Sequence, residues 1–309
     1  MDRVVVIANP SASQFTGGAH RDVMSLLRRH ARVEAVWPDT ASDAESRAAQ
    51  AAESGADVVV AMGGDGMVHH VAQGLIETDS ALGIIPVGTT NVISRLLGIP
   101  HKPVKAARLV ASAETARSVG TARMRLRRGD VETTHHALFA CGVGLDAAVV
   151  LEADKDPYRK YRFGSWHYAQ TALRVAFVDY PGRKPNVTVA VDGAQVAATT
   201  ALVQFRSLYT YFGAMPLRIA PEDPDPMSVL AMSALPRRRF PRILATLFRS
   251  GDLGAIPEWT VFHYVKSVEL RAEPPVAAQA DGESLGLIDG GTVDWVPDSL
   301  LVVAPPPEV

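Results

Sequence analysis

The chain opens with a continuous β-branched run, Val4 to Ala8, which ends at Asn9-Pro10-Ser11. An unbroken apolar run closed by turn residues is the pattern of a strand buried on both faces of a parallel sheet. The spacing then changes. From about Ala19 to Arg29, Val23, Leu26 and Leu27 fall on one helical face. Val33–Trp37 reads as a second strand. Thr40 to Glu53 is alanine-rich, with Ala44, Ala48 and Ala51 or Ala52 turned inward, and Thr40 followed by Asp43 has the form of a capping box that starts a helix. Asp57–Met62 is a third strand and Ala81–Pro86 a fourth. Strand and helix alternate over short intervals, so the first 120 or so residues are expected to form a mostly parallel sheet covered by helices.

After about Gly120 the pattern turns to strands. Strand-like stretches lie in 121–140, Asn186–Val191, Ala197–Phe205, 217–232 and 260–272, which predicts an antiparallel β domain. Tyr158–Val178 and Arg237–Arg249 read as helical insertions. Ser299–Val303 is a short apolar strand before a Pro-rich end. No internal repeat or long low-complexity tract interrupts the chain.

Composition narrows the function classes. The chain has 309 residues, enough for two ordinary domains, 1–122 and 123–294, with 295–309 expected to return to the first. Apolar residues make up 47% and charged residues 21%, and the formal net charge is −2, so no overall basic field argues for nucleic acid. Cys141 is the single cysteine, which excludes a disulfide framework or a cysteine-based zinc site within one chain and suits a reducing cytoplasm. No apolar run reaches the roughly 18 residues a spanning helix needs. The N-terminal run is too short for a signal peptide. A protein of this kind that acts on a lipid would visit the membrane surface.

The strongest motif is the strand Val58-Val59-Val60-Ala61-Met62 running into Gly63-Gly64-Asp65-Gly66 and then a helix with Val68, Val71, Ala72 and Leu75 inward. Glycines let a backbone approach a phosphate without Cβ obstruction. A helix start adds unpaired N–H groups and a positive dipole end. Asp65 is out of place for anion binding alone; Mg²⁺ contact or acceptance of a hydroxyl proton would explain it. Alone, this stretch also fits an ordinary Gly-rich turn. A second strand-to-loop unit, Gly83-Ile84-Ile85-Pro86-Val87-Gly88-Thr89-Thr90-Asn91, argues against that reading, because two such loops on neighbouring strands suit the ligand crevice of an open α/β sheet.

These segments, taken in order, resemble the nucleotide site of diacylglycerol and sphingosine kinases: Asn9-Pro10-Ser11, Thr40, Gly63-Gly64-Asp65-Gly66, and Pro86 to Asn91 with Leu97-Gly98-Ile99-Pro100 beyond. Phe139 to Val149, with Gly142, Gly144, Asp146 and Ala147, resembles that family's Gly-x-Gly-Phe-Asp-Ala segment. Ala280-Asp281-Gly282-Glu283 is similar to its Asp-Gly-Glu motif. The resemblance implies a Rossmann-like, NAD-kinase-like α/β nucleotide-binding domain followed by an antiparallel β-sandwich lipid domain. It implies an ATP-dependent lipid kinase acting on diacylglycerol or a related long-chain or sphingoid alcohol. Asn9, Pro10, Ser11 and Thr40 would border the ATP phosphates. Gly63, Gly64, Asp65, Gly66, Met67, Val68 and His69 would form the main phosphate loop, joined by Thr89, Thr90 and Asn91. Glu283, with Asp281 beside it, would take the proton of the lipid hydroxyl, and Asp65 would lie near the γ-phosphate. Asp225, with Asp223, would hold Mg²⁺ in the acidic turn after Ala220-Pro221. The expected setting is cytoplasmic and peripheral at the inner membrane face, and a homodimer stays open.

The sequence departs from the bacterial pattern at Met67, His69-His70, Val92 and Pro226. These changes bear on the metal arrangement and the substrate more than on the fold. His69 and His70 point about 100° apart on a helix and do not suit one metal. The basic stretch Arg237 to Arg249 fits either a helix packed on the β domain or one docked on an anionic membrane. Two other readings remain at this point: a non-catalytic nucleotide- or lipid-binding relative, and an NAD-kinase-like enzyme.

Overall fold

The β-branched runs of the N-terminal part form a parallel sheet. In the computed structural model, which describes residues 2–112, 116–153, 155, 170–172, 174–175, 178, 180, 182–206, 208–212, 215–218, 226–236, 238–249, 254 and 256–306, the order is β1 (Arg3–Ala8), α1 (Gly17–Leu27), β2 (Arg32–Val36), α2 (Ala41–Glu53), β3 (Val58–Gly63), α3 (Asp65–Gln73), β4 (Ala81–Pro86), α4 (Val92–Leu96) and α5 (Pro103–Ser112). The strands lie in the order β2-β1-β3-β4, with Val4 opposite Val33 and Val58, and Ala61 opposite Ile84. β3 and β4 are buried along their whole length, while the edge strand β2 is half exposed. Helices pack in pairs, α1 on α5 and α2 on α3.

Local chemistry starts the helices where the pattern placed them. Thr16 caps α1 by accepting from the Ala19 N–H. Thr40 caps α2 by accepting from the Asp43 N–H, and the Asp43 carboxylate returns a bond to the N–H of Asp39. That N–H, and then Arg47, hold the Asp43 carboxyl below the usual range.

Strand order reverses between β1 and β3, since β2 lies on one side of β1 and β3 on the other. Ligands of open α/β sheets bind at the carboxyl ends of strands at such a point.

The chain divides into two compact units, Met1–Thr121 with Val296–Val309, and Ala122–Trp295. In the first unit, Val302 of the returning segment pairs in parallel with Leu82 of β4. The second unit continues through β5 (Ala116–Arg128), β6 (Val131–Ala137), β7 (Ala140–Val143), α6 (Leu145–Ala153), β8 (Val187–Val191), β9 (Ala194–Ala198), β10 (Thr200–Gln204), β11 (Leu208–Phe212), β12 (Met215–Arg218), β13 (Met227–Met232), α7 (Phe240–Arg249), β14 (Trp259–Val265), β15 (Ser267–Ala280) and β16 (Glu283–Val303). Its strands run β14-β13-β10-β7-β15-β16, with antiparallel pairing throughout. Phe205, Met124, Val203, Val229 and Val268 are among its core residues. Two Asp-Gly pairs make its tightest turns. Asp192-Gly193 joins β8 to β9 and Asp281-Gly282 joins β15 to β16, with φ of 48° and 83° in the first and 52° and 84° in the second. Positive φ at both central residues is the hairpin turn that Asp-Gly favours.

The expected α/β domain followed by a β-rich domain is what the chain forms. Arg237–Arg249 proves helical over Phe240–Arg249. Most of the helix expected at Tyr158–Val178 lies outside the described residues, as do residues 219–225 within the strand stretch expected at 217–232.

Gly74 ends α3 where it crosses α2. A Cβ there would lie 2.4 Å from the Glu45 carbonyl oxygen and 2.8 Å from the Ala49 nitrogen, both backbone atoms that cannot swing aside. Gly74→Ala is expected to lower stability by about 1–3 kcal/mol, the scale of an overpacked core. Urea unfolding should show a lower midpoint at unchanged slope.

Candidate active site

Two loops meet beside the switch point, at the carboxyl ends of β3 and β4. β3 ends at Gly63, and Gly64 is the N-cap of α3. β4 leads through Val87 to Gly88. A Cβ on Gly88 would lie 2.5 Å from the Gly64 Cα and 2.8 Å from Asn91 Oδ1, so the two loops touch backbone to backbone. The Val87 N–H donates to the Gly63 carbonyl at 3.0 Å, and the Asn9 N–H to the Met62 carbonyl at 3.0 Å. The loop after β1 reaches the second loop through Gln14 N–H to Val87 O, 2.9 Å, and a 2.8 Å bond between the Ser13 and Thr89 hydroxyls. Asn9 Oδ1 accepts from the Ser11 N–H at 2.9 Å and so shapes the Pro10 turn.

The second loop is built by Asn91, buried and left-handed at φ 50°. Its side chain accepts from the Gly88 N–H and donates to the Gly88 carbonyl, at 3.1 and 2.7 Å. Asp65 does the decisive work between the loops. Its Oδ2 accepts from the Val92 N–H and its Oδ1 from the Ile93 N–H, both at 2.9 Å. The carboxylate of the first loop thus caps the helix that follows the second. Residue type alone pointed to Mg²⁺ contact or proton acceptance. The geometry instead makes Asp65 an anchor, because both of its oxygens face backbone donors.

The phosphate loop is also shorter than expected. Helix α3 already begins at Asp65, and the Val68 N–H makes the first helical bond, to the Gly64 carbonyl. Val68 and His69 are buried within the unit, and the His69 and His70 rings stand edge to face at 5.2 Å. The segment left for an anion is Gly63-Gly64 and the first turn of α3, where the N–H groups of Gly66 and Met67 precede the first helical bond. Met67 lies over Gly63, where a Cβ would come within 2.4 Å of the Met67 Cβ, so that glycine is required. Pro10, Ser11, Thr40 and Thr89 are exposed and Thr90 is half-buried. The Thr40 hydroxyl already caps α2.

A second constellation lies in the other unit. At the Asp281-Gly282 turn, the Asp281 carboxylate is 4% exposed. It accepts from the N–H groups of Leu138, Phe139 and Ala140 at 2.8–3.4 Å. Like Asp65, it holds backbone and does not present itself for proton transfer. The Gly282 N–H donates to Gln279 Oε1 at 2.8 Å, and Gln279 Nε2 donates to Asp146 Oδ2 at 2.6 Å. Gln279 is buried, and the sequence reading did not find it. No local pattern marks it, because its partners come from α6 and the turn. Asp146 stands in the first turn of α6, whose entry needs Gly144: a Cβ there would lie 2.4 Å from the Thr199 carbonyl oxygen, at φ 92°. Thr200 completes the entry by accepting from the Leu145 N–H and donating to the Val143 carbonyl. Behind the turn, burial pushes the Cys141 thiol well up, and the Asp281 and Asp146 carboxylates add to it. Glu283, half-buried at the first position of β16, is the carboxylate that this framework carries.

Known proteins resemble the chain. Residues 3–124 match the model of the diacylglycerol kinase catalytic domain. Over that segment the chain is similar to the diacylglycerol kinase-like lipid kinases. A diacylglycerol kinase of Mycobacterium tuberculosis is 26% identical over 98% of this chain and 95% of its own length. A diacylglycerol kinase structure from Bacillus anthracis superposes with a TM-score of 0.69 at 20% identity, covering 99% of this chain and 97% of that one. Yeast NADH kinase shares the fold at a TM-score of 0.50 and 12% identity, over 99% of this chain and 84% of its own.

Lipid kinases of this kind are expected to use Mg²⁺. Among the described residues of this one, no three His, Cys, Asp or Glu side chains gather to hold a metal ion, and Asp65 and Asp281 are committed to N–H groups. The described side chains do not fit a protein-built metal cage. Asp223 and Asp225, the expected ligands, lie outside the described residues. Among those residues, no helix is long and apolar enough to cross a membrane.

Asp65→Ala would strand the Val92 and Ile93 N–H groups. It is expected to cost about 1–3 kcal/mol, as for a lost cap with buried donors. Asp65→Asn keeps one acceptor and should lose less. Thermal unfolding of the three proteins should rank them in that order; equal stability would remove the anchoring role.

Proposed function

We propose that this lipid kinase transfers the γ-phosphoryl group of ATP to the hydroxyl of a lipid alcohol. Diacylglycerol or a related long-chain or sphingoid alcohol is the acceptor, and a phospholipid such as phosphatidic acid the product. The observation that carries the nucleotide half of this reading is the backbone contact of Gly64 with Gly88 beside the switch point. It leaves a surface without side chains beside the start of α3, where a triphosphate tail finds N–H donors and the positive end of a helix dipole. Asn9, Pro10, Ser11, Thr40, Thr89, Thr90 and Asn91 border it. Asp65 holds the two loops at the separation a phosphate needs.

Phosphoryl transfer depends on alignment and charge neutralisation more than on covalent help from the protein. Glu283 takes the proton of the acceptor hydroxyl as its oxygen bonds to the γ-phosphorus, and the bond from that phosphorus to the β,γ-bridging oxygen breaks to release ADP. Gln279 and Asp281 keep the turn that carries Glu283 in one conformation. Mg²⁺ would enter with the ATP phosphates, mostly hydrated, and neutralise their charge. The enzyme would work in the cytoplasm and meet its lipid at the membrane surface. Helix α7, with Arg242 and Arg249 exposed on it and Arg238 exposed just before it, supports such contact.

The test is incubation with γ-labelled ATP and a mixed lipid extract, followed by identification of the labelled species. Label appearing in a lipid alcohol is expected; label in no lipid would overturn the reading. Glu283→Gln should then lower kcat by about 10²–10⁴-fold, the scale of a general base, with KM for ATP unchanged. A loss below threefold would reject Glu283 as the base.

A further inference from the structure

Gln204, the last residue of β10, is fully buried. Among the described residues neither its Oε1 nor its Nε2 has a hydrogen-bond partner. Folded proteins pair nearly all buried polar groups, so an amide with both a donor and an acceptor unspent calls for an explanation. Its surroundings supply one. In the sheet register Gln204 stands opposite Ser228 on β13 and opposite Ala140 on β7. Directly opposed residues share a face. The Ser228 hydroxyl is bonded to His263 Nδ1 at 3.2 Å, so it is committed elsewhere. Ala140 contributes only a methyl group and offers the amide no side-chain partner. Ala140 is also tied to the acidic turn: its carbonyl accepts from the Asp281 N–H at 2.9 Å. β10 and β15 flank β7 and are therefore two strand spacings apart, about 10 Å.

The same face changes character one step further along the strands. Leu202, Leu230 and Met232 belong to an apolar cluster with Leu235 and Ile243. An unspent amide thus stands at the end of the sheet that carries the Glu283 turn, with buried apolar side chains behind it. That is the polarity of a lipid alcohol read from head to tail.

We propose that the Gln204 amide binds the polar backbone of the acceptor lipid beside the hydroxyl that is phosphorylated. Nε2 donates to a carbonyl oxygen of the lipid, and Oε1 accepts from a hydroxyl or amide N–H. This rests on the lipid-kinase reading, deepens it with a substrate-binding group, and makes Gln204 a determinant of which acceptors are taken.

The experiment measures binding apart from turnover. Affinity of the protein for dioctanoylglycerol is determined by calorimetry for the wild type, Gln204→Leu and the near-isosteric Gln204→Met, with thermal unfolding of each. Both variants replace an unsatisfied amide by apolar atoms, so their unfolding temperatures should be equal to or above that of the wild type. Their affinity for the lipid should fall about tenfold, the upper scale of one neutral hydrogen bond. In turnover, KM for the lipid should rise by a similar factor with KM for ATP unchanged. Equal lipid affinity in the three folded proteins, or no binding by the wild type, overturns the proposal and leaves Gln204 a bare or water-filled site. Binding that depends on Gln204, without phosphate transfer to any lipid alcohol, would uphold the proposal and reject the kinase reading instead.

Discussion

A loop that is to bind phosphate through its own N–H groups cannot spend those groups on holding itself in place. Something behind it must do so, and here that something is the Asp65 carboxylate. It reaches from the start of α3 to the first N–H groups of α4 and locks the two glycine loops against each other. The contact of Gly64 with Gly88, the Asn91 clasp on Gly88 and the Ser13–Thr89 bond all presuppose that spacing. A carboxylate suits the task because it accepts two charge-assisted bonds at once and favours the positive end of a helix.

The second unit solves the same problem in the same way. Asp281 is buried and accepts from three consecutive N–H groups, so the turn that follows β15 is pinned to the start of β7. Gln279 adds a side-chain brace to Asp146 and to the Gly282 N–H. In both units the acidic residue inside the motif accepts from backbone N–H groups of a distant segment.

Much of this was legible in the sequence because it is local. The parallel strands were marked by unbroken β-branched runs, and the start of α2 by Thr40 and Asp43. The glycine loops were marked by their position after strands. What was not legible depends on which distant residues meet. Asp65 and Val92 are neighbours only because β3 and β4 are. The inward place of Val68 on the helix was legible, whereas the start of α3 directly after Gly64 and the burial of His69 beside Val68 were not.

The sequence alone determined the order of elements and the two kinds of sheet, since these follow from spacing and from turn residues whose preferences act over a few positions. Tertiary structure decided that Asp65 and Asp281 are tied to backbone donors. It also decided that Gln279 braces the acidic turn and that Gln204 is buried with no hydrogen-bond partner for its amide among the described residues. Hydrogen bonds between segments more than a hundred residues apart, such as Asp281 with Phe139, leave no periodic trace in a chain. Only the packing of strands beside one another brings their donors and acceptors within bonding distance.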